Sequence, residues 1–269
     1  MKSNLTVARY LDELARKGQF CFTLKAIASA LSFKETSVSV SLTRLSKQGK
    51  IKMIRKGFGI ITSHSNGVLH PSFFVDEMMS FLDSKYYVGL LTAASYWGAS
   101  HQSPMVYYIV AEKVIKPIDL GKLKIEFITK NNLDEINEVK KVSGIGGYFL
   151  VSTPELTVID LIRFPKKSGH LNNVATILED LVEKINFEKL VLLCKKESVP
   201  TVAIQRLGFI LDKVLGHEKE SLSLKGVLDN RKAARIVLSV SKNKAGLKLS
   251  DYPFDERWGI YENTKVEPD

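Results

Sequence analysis

Cysteine is nearly absent from this 269-residue chain. Cys21 and Cys194 lie far apart and outside any CxxC pattern, so spacing builds neither a disulfide framework nor a zinc site. The five histidines, His64, His70, His101, His170 and His217, are scattered without the spacing of metal ligands. Long apolar runs are also missing. The longest, around Tyr87–Ala99, is too short to span a bilayer. Met1 to Phe20 carries charges every few residues and lacks the apolar centre of a signal peptide. Gly144 to Gly147 is glycine-rich but has no Lys-Ser/Thr after it, which excludes a phosphate-binding P-loop. These absences predict a reduced, cytoplasmic protein with no membrane partner, no metal and no cofactor.

What the chain does have is ordinary globular composition, 45% hydrophobic and 25% charged, with a net charge of +10. The length is enough for one large domain or two ordinary ones. The charge is unevenly placed. Residues 1–62 hold 12 basic side chains against Asp12, Glu13 and Glu35, a net +9, which leaves +1 for the other 207 residues. A basic end joined to a near-neutral remainder is the expected footprint of a DNA-binding module attached to another domain.

The periodicity within that end agrees. Leu5, Ala8, Leu11, Leu14 and Ala15 repeat at helical spacing, and Gly18 stops the helix after Arg16-Lys17. Thr23 offers an N-cap for a short helix over Leu24–Leu31. A polar turn, Ser32–Glu35, leads into a third helix from Thr36 to Gln48, ended by Gly49, with Val38, Leu42 and Leu45 as its buried stripe. Its other face carries Ser37, Ser41, Arg44 and Lys47, with Lys34, Thr36 and Ser39 near its start. Small hydroxyls beside Arg and Lys suit close approach to phosphates and base edges. Ser39 and Thr43 fit ordinary helix surface as well as DNA contact. Lys50 to Arg55 then alternates basic and apolar residues, followed by Lys56-Gly57-Phe58-Gly59 and Ile60-Ile61-Thr62, which predicts a hairpin with a basic, glycine-flexible tip. Three helices and such a hairpin predict a winged helix-turn-helix. The DNA-binding residues expected are Lys34, Thr36, Ser37, Ser39, Ser41, Arg44 and Lys47, with Arg55 and Lys56 on the wing. The run from Thr36 to Leu45, closing with Gly49-Lys50-Ile51, resembles the recognition helix and wing start of many bacterial regulators.

Beyond residue 63 the pattern changes. His70-Pro71 disfavours helix at His70, and Phe73–Leu82 predicts a short bridging helix. Tyr87–Ala99 reads as a buried helix rich in small residues. Strands are expected at Tyr107–Ala111 and Lys124–Ile128, with turn material at Asp119-Leu120-Gly121-Lys122, and further strands within Val139–Val151. Ser152-Thr153-Pro154-Glu155 is a strong helix start, and Pro165 ends that helix. Amphipathic helices follow at Asn172–Lys184, Phe187–Glu197 and Thr201–Leu215, and the tail at Arg235–Val240 and Trp258–Tyr261 reads as β-like or irregular.

The stretch from Tyr86 to Pro104 resembles the AbiEi family, the antitoxins of type IV toxin–antitoxin systems. So do Lys124 to Phe127, Ser152 to Leu161 with Gly169 to Thr176, Gln205 to Phe209, and Arg257-Trp258 followed by Asn263. The segments occur in family order along nearly the whole chain, with a departure at Trp97. The resemblance implies a repressor that binds inverted repeats in the promoter of its own operon. It also implies a C-terminal domain that counteracts a nucleotidyltransferase-like toxin, without necessarily forming a stable complex with it. The expected fold class is α+β, an N-terminal winged helix-turn-helix plus a larger mixed α/β C-terminal domain with a small sheet and several helices. The expected divisions are 1–65 for DNA binding, 66–85 as a bridge and 86–269 as the antitoxin domain.

Two rival readings stand beside this one. A stand-alone winged-helix regulator would use the large domain to sense a ligand or partner. A metal-dependent nuclease would need Asp119 and Glu126 joined by a Lys two residues after the Glu, where Ile128 stands. Asp160 and Arg163 lie three apart on one helix face and can meet, whereas Glu155 has only Val158 and Ile159 at the corresponding positions. Arg206 is expected to form a salt bridge between elements. No catalytic residue is expected.

Overall fold

In a computed structural model of the chain, residues 6–62, 69–99, 105–133, 136–144, 147–240 and 248–268 are described. The chain divides into two compact units, Met1–Val88 with Met105–Val151 and Gly89–Pro104 with Ser152–Asp269. The expected boundaries at 65 and 85 fall inside the first of these.

The first unit begins with α1 (Val7–Arg16), β1 (Cys21–Thr23), α2 (Leu24–Leu31), α3 (Glu35–Lys47), β2 (Ile51–Arg55) and β3 (Phe58–Ile61). Thr6 and Thr23 cap the first two helices by accepting from the Arg9 and Ala26 amides. The three strands pair antiparallel in the order β1-β3-β2, with Phe22 opposite Gly59 and Met53 opposite the same glycine. That glycine has a reason. A Cβ at Gly59 would run into the Phe22 ring and the Met53 sulfur. The order of elements is that of a winged helix-turn-helix, over a core of Val7, Leu11, Ile27, Val38, Leu42 and Ile51 among others. β1 leaves no signal in the sequence, because three residues are too few to show alternation.

Within the same unit, His70 is extended (φ −64°, ψ 139°), as a residue before proline should be, and precedes a 3-10 turn at Pro71–Phe73 and α4 (Val75–Phe81). Phe20 meets Phe73 edge-to-face at 5.3 Å, and Phe58 meets Phe81 at 5.4 Å. A six-stranded mixed sheet follows, in the order β6-β7-β5-β4-β9-β8. Its strands are β4 (Tyr86–Val88), β5 (Val106–Ala111), β6 (Ile118–Asp119), β7 (Lys124–Thr129), β8 (Val139–Gly144) and β9 (Gly147–Ser152). β5 runs parallel to β7 over six residue pairs and antiparallel to β4.

The single helix expected over Tyr87–Ala99 is a strand and a helix. Tyr86-Tyr87-Val88 pairs as β4, Gly89 breaks the run, and α5 (Leu90–Tyr96) begins after it. Aromatic and β-branched residues favour the strand, and a continuous apolar run hides the switch because periodicity cannot separate a buried strand from a buried helix. Ile145 and Gly146 of the glycine-rich segment lie outside the described residues, as do His64 and the stretch from Ser100 to Pro104 that contains His101.

The second unit is mostly helical, with α6 (Pro154–Arg163), α7 (His170–Leu181), α8 (Phe187–Lys195), α9 (Thr201–Phe209) and α10 (Glu218–Asp229). Helix α6 lies at its centre, and every residue from Pro154 to Ile162 is buried. A helix buried all round must satisfy its polar groups internally. Thr153 caps it, Thr157 donates to the Thr153 carbonyl at 2.8 Å, and Glu155 accepts the Asn186 amide at 2.9 Å, tying α6 to the start of α8. Arg163 lies over the Phe164 ring. Helix α9 continues as a π-helical turn over Ile210–Val214. Helix α10 has no counterpart in the sequence reading. Its buried positions, Ser221, Leu224, Val227 and Leu228, include a polar one and are interrupted by Gly226, so the apolar stripe is weak.

The tail returns onto α9 as a small sheet of β10 (Ile236–Val237), β11 (Phe254–Asp255) and β12 (Ile260–Tyr261), in the order β10-β12-β11. Gln205 donates to the carbonyls of Ala234 and Trp258, both at 2.9 Å. Arg206, expected in a salt bridge, instead donates to the Val237 carbonyl at 3.2 Å, so a backbone group links the elements. Trp258 is 1% exposed and its indole N–H donates to Asp212 at 2.9 Å. Asp212 also receives Arg257 at 2.9 Å, and Arg257 reaches Glu218.

Burial pushes the Asp212 carboxyl up, but the Trp258 N–H, the Arg257 guanidinium and Lys213 outweigh it and hold the group below its ordinary value. A carboxyl with a lowered folded pKa adds stability above its unfolded pKa, about 3.9, and loses it as pH falls through the folded value. Urea denaturation in steps below about pH 4 should therefore show stability falling in the native chain. Asp212→Asn, weaker at pH 7, should show a shallower fall across that window.

Candidate nucleic-acid interface

The basic end folds so that one helix faces outward. Ser32 takes a left-handed conformation (φ 54°) after α2, turning the chain sharply into α3. Lys34 is the N-cap residue of α3, with no side-chain cap bond. Val38, Leu42 and Leu45 bury one stripe of α3, at 0, 2 and 7% exposure. At 100° per residue the opposite direction falls on Thr36, Val40, Thr43 and Lys47, with Ser37 and Arg44 to one side and Ser39 to the other.

Lys34, Thr36, Ser37, Ser39, Arg44 and Lys47 are exposed, and Ser41, nearer the core stripe, is half-buried. Ser41 donates to the Ser37 carbonyl at 3.2 Å and Thr43 to the Ser39 carbonyl at 2.9 Å. Both hydroxyls are thus turned back onto the helix and keep their lone pairs for a donor. Between α3 and the hairpin lies a groove of about 650 Å³, bordered by Ser39, Thr43, Lys47, Met53 and Lys56.

The two wing cations differ. Lys56 is exposed at the two-residue tip it forms with Gly57, whose φ of 86° suits glycine. Arg55 is half-buried: it donates to the carbonyls of Ile54 and Lys116 and lies 5.9 Å from the Phe127 ring centroid. Burial lowers its pKa. Its guanidinium fastens the hairpin to the six-stranded sheet. One outward residue that the sequence reading did not single out is Val40, 54% exposed. The signal was available as an apolar residue out of phase with the buried stripe.

Elsewhere, Asp119 accepts the Gly121 amide at 2.6 Å and Glu126 accepts Lys124 at 2.7 Å, a turn cap and a local ion pair. Among the described residues, no group of three or more His, Cys, Asp and Glu side chains is placed to hold a metal. Nor is any helix among them long and apolar enough to cross a membrane. Burial raises both thiols, Cys21 with help from Glu77 and Cys194 against the pull of Arg231, each to about 12.

These features define a mixed α/β protein whose N-terminal helices and hairpin present Arg44, Lys47 and Lys56 to solvent, joined to a second, mainly helical unit. Residues 87–213 match the AbiEi antitoxin C-terminal domain, which supports an antitoxin of a toxin–antitoxin system. The fold is similar to the crystal structure of the RV2827C protein from Mycobacterium tuberculosis, at 15% identity and a TM-score of 0.68, covering 94% of this chain and 89% of that one. No curated sequence matches the chain significantly.

Proposed function

We propose that this chain is the antitoxin and transcriptional autorepressor of a type IV toxin–antitoxin pair, working in the cytoplasm. The winged helix, within residues 1–65, would bind inverted repeats in the chain's own promoter. The region 86–269 would counteract a nucleotidyltransferase-like toxin without requiring a stable complex with it. The observation that carries the DNA-binding half is the outward face of α3, where Arg44 and Lys47 stand among small hydroxyls on a segment of net +9. The antitoxin half rests on the family domain over residues 87–213.

The test is titration of the full chain against duplex DNA from upstream of its gene and against a scrambled duplex, at several salt concentrations. Tighter binding to the promoter duplex supports the reading, and equal binding to both overturns sequence-specific repression. The wing adds a sharper expectation. Lys56 is exposed, so Lys56→Ala should weaken binding to both duplexes alike and reduce the salt slope by about 1. Arg55 is engaged with Lys116 and Phe127, so adding Arg55→Ala should flatten the slope little further. An unchanged slope in Lys56→Ala would place the wing away from the duplex.

A further inference from the structure

The outward face of α3 contains one aliphatic side chain, and its position suggests what that face reads. We propose that Val40 recognises the C5-methyl group of a thymine in the major groove of the operator, an inference that rests on the DNA-binding reading above. Val40 points away from the stripe of Val38, Leu42 and Leu45 and is 54% exposed. It supports neither the core nor the helix, since a β-branched residue is a middling helix former. Its neighbours at i−4 and i+3 are Thr36 and Thr43, and the Thr43 hydroxyl donates to the Ser39 carbonyl, turned back along the helix.

Around this small apolar centre stand Ser37, Ser39, Arg44 and Lys47, all exposed. A protein partner docking on a helix would be met by an apolar stripe along several turns. A single aliphatic group framed by hydroxyls and cations fits a different surface, one that is anionic and polar and carries isolated methyl groups. Duplex DNA is such a surface: thymine alone among the four bases puts a methyl group into the major groove. The +9 charge of residues 1–62 supplies the complementarity to its phosphates.

The experiment uses the full chain and its promoter duplex, with thymines in the bound half-site replaced one at a time by deoxyuridine, which lacks only that methyl. Native protein and Val40→Ser are titrated against both forms, and circular dichroism confirms that the exposed-site variant is folded. One thymine position should weaken native binding about fourfold on losing its methyl, the contribution of one buried apolar carbon. Val40→Ser should bind the thymine duplex about fourfold more weakly and no longer distinguish thymine from deoxyuridine at that position. Native protein indifferent to every replacement, or Val40→Ser retaining the discrimination, would overturn the inference while leaving DNA binding intact. A native chain that cannot tell its promoter from a scrambled duplex would remove the DNA-binding reading and this inference together.

Discussion

Trp258→Ala should cost about 3–5 kcal/mol of stability, the range for emptying a large buried aromatic site. The ring is 1% exposed, its N–H satisfies Asp212, and its carbonyl accepts from Gln205. Its packing depends on Gly208 in α9. A Cβ there would overlap the Cζ3, Cη2 and Cε3 atoms of the indole. Gly208→Ala should therefore destabilise by about 1–3 kcal/mol through overpacking, although alanine is by itself the better helix former by about 1 kcal/mol. The sign should reverse once the ring is gone. In a Trp258→Ala background, Gly208→Ala should be neutral or slightly stabilising, a coupling that urea denaturation of the four proteins measures directly. A neutral Gly208→Ala in the native background would mean that the indole does not pack against α9.

Arg44→Ala should cost about 1–3 kcal/mol on the promoter duplex and much less on a scrambled one. The residue is exposed, lies beside the outward centre of α3, and carries a fork able to meet a guanine edge with two hydrogen bonds. Arg44→Lys should not restore the loss, because lysine keeps the charge but not the fork. Equal losses on the two duplexes would make Arg44 a phosphate contact. Lys47→Ala, by contrast, should weaken both duplexes alike, since lysine contributes mainly a point charge to the phosphate backbone.

Much of the N-terminal helices and hairpin was legible because their signals are local. Thr23 caps α2 as expected, Val38, Leu42 and Leu45 form the buried stripe, and the hairpin closes at Lys56-Gly57. The strands β5 and β7 stood out through runs of Val, Ile, Tyr and Phe, and the Thr153-Pro154 helix start through its cap. The misses have physical causes. β4 and α5 share one apolar run whose break is a single Gly89. Helix α10 buries Ser221 in place of an apolar residue. Long-range partners left no local trace: nothing near Arg55 in sequence announces Lys116 or Phe127, and nothing near Gly208 announces Trp258. The outward polar residues of α3 are recognisable by type, and Val40 is recognisable by phase, because it falls outside the stripe of Val38, Leu42 and Leu45.

If α3 reads DNA and the region matched by the family domain neutralises a toxin, as proposed, the two activities should separate in a single full-length protein. The most direct test is the Arg44→Ala, Lys47→Ala double variant, expressed from an unrelated promoter together with the proposed nucleotidyltransferase-like toxin. Promoter binding is measured in parallel. The predicted result is that the variant loses promoter binding yet rescues growth as fully as the native chain. Growth arrest that returns as DNA binding is lost, or that the native chain itself fails to relieve, would contradict it.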